Sequence, residues 1–353
     1  MNLDNLKDIM RLDRENMLRL LVSFPGQCRE AIKIGERINV PFSYRKGYVN
    51  VIFTGLGGSA IGADIVCGIT EEEIKVPIFV NRNYTLPHFT GKNSLVFAIS
   101  YSGNTEETLS AYADAKKRGS NIIAITSGGK LKELAVKNKD VLILIPQGYP
   151  PRAALGYSFI PAIFSLSKLG LIKEKRNDLL KTTVLLKEMQ GDMLGAHVHG
   201  RKNIAKETAK KIHGSFPVIY ASSRMESVMT RWKGQFAENG KHLSSGHVFP
   251  EMNHNEIVGW VYPKNILRNF LAIILRDRFD HPRVQKRMDI TYSILKKAQF
   301  EVIEIESNGA SLIERMLSLV VVGDFISFYL AILNGIDPTP VERITYLKKQ
   351  LAK

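Results

Sequence analysis

Short, continuous apolar runs alternate with amphipathic stretches through the first part of the chain. The helical patterns between the runs place apolar residues three and four positions apart, as one face of a helix requires. Because a parallel sheet is buried on both faces, such runs predict an α/β domain in which helices cover a parallel sheet on both sides. The predicted strands cover residues 49–54, 76–80, 94–100, 121–126 and 141–145, and the predicted helices 60–68, 106–117 and 131–137.

The pattern becomes mainly helical after residue 150 and then repeats the alternation. Gly58-Ser59 and Ser222-Ser223 occupy matching places after the first strand of each block, which predicts a tandem duplication of one α/β unit. The predicted strands of the second block cover residues 217–222, 243–249, 270–275 and 301–306, and its helices 225–239, 283–299 and 312–333. The predicted organisation is an N-terminal helical segment at 1–40, a first domain at 41–149, a helical connector at 150–214 and a second domain with a C-terminal helix at 215–353.

Composition narrows the class of protein. A hydrophobic fraction of 44% with 24% charged residues excludes a disordered chain and a membrane-protein composition. The charged residues at 4–15 are unlike a signal sequence and predict an amphipathic helix, so we expect a cytoplasmic protein. Residues 317–336 are apolar, but Asp324 in their middle favours a buried core helix over a membrane span. Cys28 and Cys67 form neither a disulfide framework nor a metal site.

The net charge of +15 favours anionic ligands. The lysines are scattered over predicted helix faces instead of forming a basic run interleaved with aromatic residues, so we expect small anions and no nucleic acid as partners.

A cluster of hydroxyl residues follows the predicted strand at 94–100 and opens a helix. Ser100, Ser102 and Thr105 surround Gly103 where the first turn leaves backbone N–H groups unpaired. The helix dipole and the hydroxyl donors together favour a phosphate, and more hydroxyls are present than a helix cap requires. The cluster contains no base or nucleophile, so it predicts binding and leaves the chemistry to other residues.

A second glycine motif leaves an alternative open. Residues 55–60 satisfy G-x-G-x-x-A after a strand, as in dinucleotide-binding domains. Such a site places an acidic residue after the next strand to bind the ribose, whereas this chain has Asn81-Arg82-Asn83 there. This interpretation also leaves the hydroxyl cluster without a role.

Three further residues are candidates for chemistry. Arg152 follows two prolines, and it is either a rigidly held clamp for a developing oxyanion or a partner in a surface salt bridge. Glu238 is either a base whose pKa is raised by Trp232 and Phe236 or a solvated glutamate near a helix end. His254 lies among Asn and Glu residues in a predicted apolar helix, and no histidine spacing in the chain is typical of a metal site.

Four motifs in order resemble the archaeal-type bifunctional phosphoglucose/phosphomannose isomerases. The motifs are Gly-Gly-Ser-Ala-Ile-Gly at 57–62, Ser-Tyr-Ser-Gly-Asn-Thr-Glu-Glu-Thr at 100–108, Pro-Arg-Ala-Ala-Leu-Gly-Tyr at 151–157 and Glu-Met-Asn-His-Asn-Glu at 251–256. The resemblance covers nearly the whole chain. It implies two tandem sugar-isomerase domains of flavodoxin-like fold, a homodimer with shared active sites, and no cofactor.

The resemblance also assigns roles to individual residues. Ser100, Ser102 and Thr105 would bind the phosphate, with Gly58 and Ser59 lining the sugar end. Arg152 would stabilise the enediolate, Glu238 would transfer the proton between C1 and C2, and His254 of the partner subunit would assist ring opening. Lys348, chosen over its neighbour Lys349, would complete the site, and Thr339 would leave room for both C2 epimers.

The function implied is an aldose–ketose isomerase that interconverts glucose 6-phosphate and mannose 6-phosphate with fructose 6-phosphate through a cis-enediol. The two aldoses differ only at C2, and the enediol erases that centre, so one carboxylate could serve both. The alternatives are a non-catalytic sugar-phosphate-binding regulator and a dinucleotide-binding oxidoreductase.

Overall fold

The computed structural model describes residues 1–351, which form two compact units. The first unit consists of Ser23–Val184 with Ser311–Ile313, and the second of Met1–Val22, Leu185–Ala310 and residues from 314 onward. The strands are β1 Asn50–Thr54, β2 Ile78–Asn81, β3 Ser94–Ile99, β4 Asn121–Thr126, β5 Val141–Leu144, β6 Phe216–Ser222, β7 Ser245–Phe249, β8 Phe270–Arg276 and β9 Glu301–Glu306. The helices are α1 Leu6–Leu12, α2 Met17–Val22, α3 Phe24–Arg37, α4 Gly58–Thr70, α5 Glu106–Lys117, α6 Gly129–Lys137, α7 Leu155–Lys168, α8 Arg176–Met189, α9 Ile204–Ile212, α10 Glu226–Glu238, α11 Lys264–Leu267, α12 Pro282–Lys297, α13 Leu312–Leu333 and α14 Glu342–Leu351.

The first unit contains a parallel five-stranded sheet in the order β2-β1-β3-β4-β5. On one face, Ile52 and Val96 pack in a core cluster with Ala111 of α5 and Leu131 of α6. Successive side chains of a strand point to opposite faces, so the stacked rings of Phe53 and Phe97, 4.7 Å apart, lie on the other. The predicted parallel sheet with buried faces is confirmed.

The second unit contains a parallel four-stranded sheet in the order β7-β6-β8-β9. The chain starts each sheet at an inner strand, adds one neighbour on one side and then continues on the other side. This shared order is what a duplicated α/β unit predicts. One face of the second sheet packs on α12 through Tyr220, Ile274, Met288 and Leu295.

The N-terminal segment differs from its prediction. A helix, α1, forms within residues 4–15 as predicted, but it ends at Leu12, and a second short helix, α2, follows it. The interruption has a local cause, because the Asp13 carboxylate accepts hydrogen bonds from the backbone N–H groups of Met17 (2.7 Å) and Leu18 (2.9 Å). A carboxylate that binds these N–H groups starts a new helix at Met17.

Helix α13 is the apolar stretch that contains Asp324. It is long and apolar enough to cross a membrane, but 94% of its most apolar window is buried within the fold. The Asp324 carboxylate accepts hydrogen bonds from Arg231 Nε (3.0 Å), Arg231 Nη2 (2.7 Å) and Gln235 Nε2 (3.0 Å) on α10. The charge is therefore paired inside the protein, as a core helix requires.

A second buried charge attaches the N-terminal segment to its unit. Lys206 is 0% exposed, and its Nζ donates to Asp4 Oδ1 (2.9 Å) and to the carbonyl oxygens of Ala196 (2.9 Å) and Val198 (2.8 Å). The hydrogen bond from Lys206 holds the pKa of the Asp4 carboxyl below its ordinary value of 3.8.

Asp4→Asn is expected to lower the free energy of unfolding by about 1–2 kcal/mol at pH 7, because Lys206 then lacks its charged partner. A lowered pKa in the folded state means that the stabilisation is complete above the unfolded pKa of about 3.8 and is lost as the pH falls through the folded value. Urea unfolding at several pH values should therefore show that the difference between wild type and variant shrinks below about pH 3.8. Glu15→Gln, at an exposed acid of the same segment, is the control. A difference that stays constant down to pH 2 would contradict the assignment.

Candidate active site

The candidate phosphate site lies in the first sheet, at the point where successive strands begin to be added on the opposite side. Strands β1 and β3 are neighbours, but β2 adds beside β1 and β4 adds beside β3. The loops that follow β1 and β3 therefore diverge and leave a crevice at the carboxyl edge of the sheet, the usual ligand position in such folds. Gly55 to Ser59 follow β1, and Ser100 to Thr105 follow β3.

The hydroxyl cluster is a folded loop with internal hydrogen bonds. The hydroxyl oxygens of Ser100 and Thr105 lie 2.9 Å apart, and the Gly103 N–H donates to Ser100 Oγ (3.1 Å). Thr105 occupies the N-cap position of α5, but its side chain makes no cap hydrogen bond. The first turn of α5 therefore has no hydroxyl cap from Thr105, which suits binding of an anion.

Gly103 is required by the packing of this loop. Its φ is +70°, and a Cβ added there would lie 1.8 Å from the carbonyl oxygen of Gly128. The Gly103 carbonyl oxygen also accepts from the Leu131 N–H (2.9 Å), so the loop is held against the start of α6. No side chain fits between the two loops, and this close approach fixes the hydroxyl cluster.

Arg152 lies beside the glycine turn that follows β1. A Cβ added to Gly58 would lie 2.8 Å from the Pro151 carbonyl oxygen and 3.3 Å from the Arg152 Cα, so the two loops touch. Arg152 is 4% exposed. This burial argues against a surface salt bridge, and its role toward an oxyanion stays a prediction.

Two residues that support this site were missed by the sequence analysis. The Gln27 side chain donates to the Ala153 carbonyl oxygen (2.7 Å) and accepts from the Gly156 N–H (2.8 Å), so it bridges the loop that follows Arg152. The Tyr101 hydroxyl donates to the Pro146 carbonyl oxygen (3.0 Å) and accepts from the Tyr149 N–H (2.9 Å). Tyr101 belongs to a motif that drew attention only for its hydroxyl neighbours, and Gln27 carries no sequence signal because its partners are more than 120 positions away.

The end of β2 does not have the features of a dinucleotide site. Asn81, its last residue, is buried, and its amide donates to the Asn83 carbonyl oxygen (2.9 Å). Arg82 forms an ion pair with Asp64 of α4. A cation already paired with a carboxylate is a poor binding partner for a ribose phosphate, so the geometry favours the sugar-phosphate interpretation.

The corresponding edge of the second sheet is acidic. Asp277, directly after β8, is 2% exposed, and its Oδ1 lies 2.8 Å from Arg315 Nε. Asp280 is also buried, and burial raises its pKa. These buried carboxylates contrast with the hydroxyl cluster at the edge of the first sheet, and phosphate binding by that cluster stays a prediction.

Glu238 is the last residue of α10 and is half-buried. Its helix is firmly attached to α13: besides the Arg231–Asp324 pair, the Trp232 indole N–H donates to the Leu319 carbonyl oxygen (2.8 Å) and Asn239 Nδ2 donates to Ser327 Oγ (3.0 Å). Trp232 and Phe236, expected around the carboxyl, are 0% exposed in the core. The carboxyl group is therefore carried on a rigid helix end.

The structure brings Glu238 and Thr339 into one region of the second unit. Lys241 Nζ donates to the carbonyl oxygens of Glu238 (2.6 Å) and Pro338 (2.9 Å), so one ammonium group joins the end of α10 to the segment before α14. Thr339 follows Pro338 and is 7% exposed. The sequence analysis gave no attention to Lys241, which makes this connection.

The segment around His254 is not the helix that was predicted. It forms two 3-10 turns, Glu251–His254 and Glu256–Gly259, separated by Asn255 at φ −148° and ψ −74°. The Asn255 side chain donates to Glu251 Oε1 (3.0 Å) and accepts from the Glu256 N–H, which stabilises the break. His254 is exposed.

Burial does not distinguish between the two candidate lysines near the C-terminus. Lys348 and Lys349 both lie on α14, and both are exposed. The choice of Lys348 therefore stays a prediction. Within residues 1–351, no group of three or more His, Cys, Asp or Glu side chains is placed to hold a metal ion.

Family models match both sheets. Residues 48–148 match a model described as SIS domain, and residues 201–351 match one described as bacterial phospho-glucose isomerase C-terminal SIS domain. The C-terminal domain of glucosamine-fructose-6-phosphate aminotransferase from Francisella tularensis has a TM-score of 0.67 at 15% identity, over 92% of this chain and 97% of that one. At this identity the structural likeness shows the fold alone.

Curated relatives give the family. A bifunctional phosphoglucose/phosphomannose isomerase of Caldicellulosiruptor bescii is 45% identical over 96% of this chain and 99% of its own length. A protein of the same name from Aquifex aeolicus is 38% identical over 87% of this chain and 91% of its own length. With two SIS-domain sheets and full-length relatives of this kind, the chain belongs to the bifunctional phosphoglucose/phosphomannose isomerase family.

Proposed function

We propose that this protein is an aldose–ketose isomerase that interconverts glucose 6-phosphate and mannose 6-phosphate with fructose 6-phosphate through a cis-enediol. The observation that carries the proposal is the 45% identity, over 96% of the chain, to a relative with this bifunctional name. The phosphate-binding features of the first unit support it independently. The reaction transfers a proton between C1 and C2 and exchanges the oxidation states of these two carbons internally, so it requires no redox cofactor.

The substrate phosphate is proposed to bind at Ser100, Ser102 and Thr105. The dipole of α5 and the hydroxyl donors stabilise a dianion there. Gly58 and Ser59 line the sugar end, because the turn after β1 shares the edge of the sheet with the hydroxyl cluster. Binding energy from the non-reacting phosphate can then orient the sugar carbons.

Glu238 is proposed to remove the proton from one sugar carbon and to return it to the neighbouring carbon. The intermediate carries negative charge on oxygen, and Arg152 is proposed to stabilise that charge in the transition state. Because the enediol has no stereocentre at C2, the same carboxylate serves glucose and mannose phosphates if the pocket accepts both epimers. Thr339 is proposed to leave that room, and its link to Glu238 through Lys241 supports a shared site.

A homodimer with shared active sites is proposed, with His254 of the partner subunit assisting ring opening and Lys348 completing the site. Support comes from exposed groups: His254 faces solvent, and α14 has no buried residue although Ile344, Leu347 and Leu351 recur on one side of it. An apolar helix side of this kind suits contact with a second copy. A cytoplasmic location is proposed as well, because charged sugar phosphates do not cross membranes unaided.

A coupled assay tests the function directly. Fructose 6-phosphate without an added amine is expected to yield both glucose 6-phosphate and mannose 6-phosphate, each measured with its own dehydrogenase-coupled system. A non-catalytic regulator would bind the ketose and form neither aldose. An oxidoreductase would require a nicotinamide cofactor, which calorimetric titration would detect.

Thr105→Val and Ser102→Ala are expected to raise KM for fructose 6-phosphate about tenfold or more, with a smaller change in kcat. Each variant removes a hydroxyl that would bind the phosphate, and one lost hydrogen bond to a charged group costs about 1.5–3 kcal/mol. Steady-state kinetics measure the effect, and Ser293→Ala on the exposed side of α12 is the control. An unchanged KM in both variants would contradict phosphate binding by this loop.

A further inference from the structure

A cavity of about 890 Å³ lies within the second unit, at the edge of the sheet where its strands begin. Phe270 and Glu301, the first residues of β8 and β9, line it. Strand β8 has seven residues, so the cavity lies about 20 Å from Asp277 at the opposite edge, at 3.3 Å per residue. Its volume is in the range of small-molecule sites.

The rim of this cavity is strongly basic. Lys211, Lys264, Arg268 and Lys296 line it together with one carboxylate, that of Glu301. Glu301 pairs with Lys211 (3.4 Å) and lies 3.9 Å from Lys296, so four cations against one carboxylate leave a net charge of +3. A concave surface that bears charge of one sign concentrates ligands of the opposite sign.

The floor of the cavity is aromatic. Trp260 packs edge-to-face against Phe300, with ring centroids 4.7 Å apart, and against Phe270 at 6.4 Å. Trp260 is 8% exposed, and the two phenylalanines are half-buried and line the cavity. A single phosphate would not use this apolar surface, whereas a planar ring stacks on it.

We propose that this cavity binds a nucleoside polyphosphate, with the base on the Phe270–Phe300 floor and the phosphates among Lys264, Arg268 and Lys296. The net charge of +3 on the lining side chains matches the three negative charges of a nucleoside diphosphate. The site does not depend on the proposed isomerase function, and it accounts for part of the high net charge of the chain.

Trp260 connects the cavity to the segment that carries His254. Its indole N–H donates to the Tyr220 hydroxyl (2.8 Å), and that hydroxyl donates to Glu256 Oε1 (2.6 Å). The only other tryptophan in the sequence, Trp232, is fully buried on α10. A ligand on the cavity floor is therefore expected to change tryptophan fluorescence through Trp260.

The test is a titration of the full-length protein with magnesium-free ADP, followed by tryptophan fluorescence and by calorimetry. Saturable binding is expected, and inorganic pyrophosphate and adenosine, which each supply half of the ligand, should bind at least about tenfold more weakly. Arg268→Glu should weaken ADP binding at least about tenfold, because it reverses a charge next to the phosphates. Lys286→Glu, at an exposed cation on α12 that does not line the cavity, should change it less than about twofold.

Other outcomes overturn the proposal. ADP binding that does not saturate by about 10 mM, or that is equally affected by both variants, removes the site. If pyrophosphate binds as tightly as ADP, the aromatic floor does not bind the base, and the site is not a nucleotide site. If fructose 6-phosphate displaces ADP, the nucleotide binds at the hydroxyl cluster instead. If Arg268→Glu changes the sedimentation coefficient, the cavity surface is a contact between copies of the chain.

Discussion

Glu238→Gln is expected to lower kcat for both aldoses by at least about 100-fold, the lower end of what a positioned general base contributes. Glutamine keeps the size of the side chain but cannot accept the proton at C1 or C2. KM is expected to change little, because the phosphate is proposed to bind at the loop that follows β3. A 100-fold loss corresponds to about 2.7 kcal/mol of transition-state stabilisation.

The measurement is initial-rate kinetics together with the incorporation of solvent deuterium into the recovered sugar phosphate. Loss of a base removes both turnover and exchange, whereas a defect in ring opening leaves exchange of the open-chain sugar intact. Glu226→Gln, at the exposed first residue of the same helix, is the matched control and should retain activity. Near-normal turnover of Glu238→Gln would assign the base to another residue.

Arg231→Met is expected to destabilise the second unit by about 3–5 kcal/mol, because it leaves the Asp324 carboxylate without its cation inside the core. The Arg231 side chain is 4% exposed and that of Asp324 is 6% exposed, so water cannot replace the lost partner. Gln235 would still donate to Asp324, but it is neutral and cannot replace the lost cation. The midpoint of urea unfolding, followed by circular dichroism, measures the loss.

A double-mutant cycle separates the ion pair from simple packing. Arg231→Met combined with Asp324→Leu removes both charges, and it is expected to recover most of the lost stability. Lys210→Met provides the control, since Lys210 pairs with Glu207 while their side chains are 47% and 44% exposed, and such a pair contributes less than about 1 kcal/mol. If the double variant is as unstable as Arg231→Met alone, the buried charge is not the cause.

The strands of both sheets could be predicted to within about two residues from the apolar runs. Strands β4 and β9 begin and end at the predicted residues, and so does helix α13. This success has a physical basis in the inner strands β3 and β4, because burial on both faces keeps them largely apolar. The edge strand β9 instead has exposed glutamates beside its buried apolar residues. The helix predicted at 251–259 failed, because the Asn255 side chain stabilises a break there. The helix predicted at 4–15 ends early, at Leu12, and Asp13 caps the next one.

The candidate site was less predictable than the fold. The hydroxyl cluster and Arg152 follow from local motifs, since a helix start and a proline-stiffened loop are features of neighbouring residues. Gln27 and Lys241 bind backbone carbonyl groups of distant segments, and any polar side chain can do this. Nothing in their sequence surroundings distinguishes them. The roles of Glu238, His254, Thr339 and Lys348 are predictions that follow from the resemblance.

The sequence by itself determined the α/β class, the two blocks of alternating strands and helices and the position of the hydroxyl cluster after β3, because each depends on periodicity or on residues that are adjacent in the chain. Only the tertiary structure decided how Asp324 is neutralised, why Gly103 must lack a side chain and which side chain holds the Arg152 loop. These depend on partners such as Arg231, Gly128 and Gln27, which lie 93, 25 and 126 positions away from the residue or loop they contact. Charge pairing and close packing act through space, so the chain must fold before they are defined.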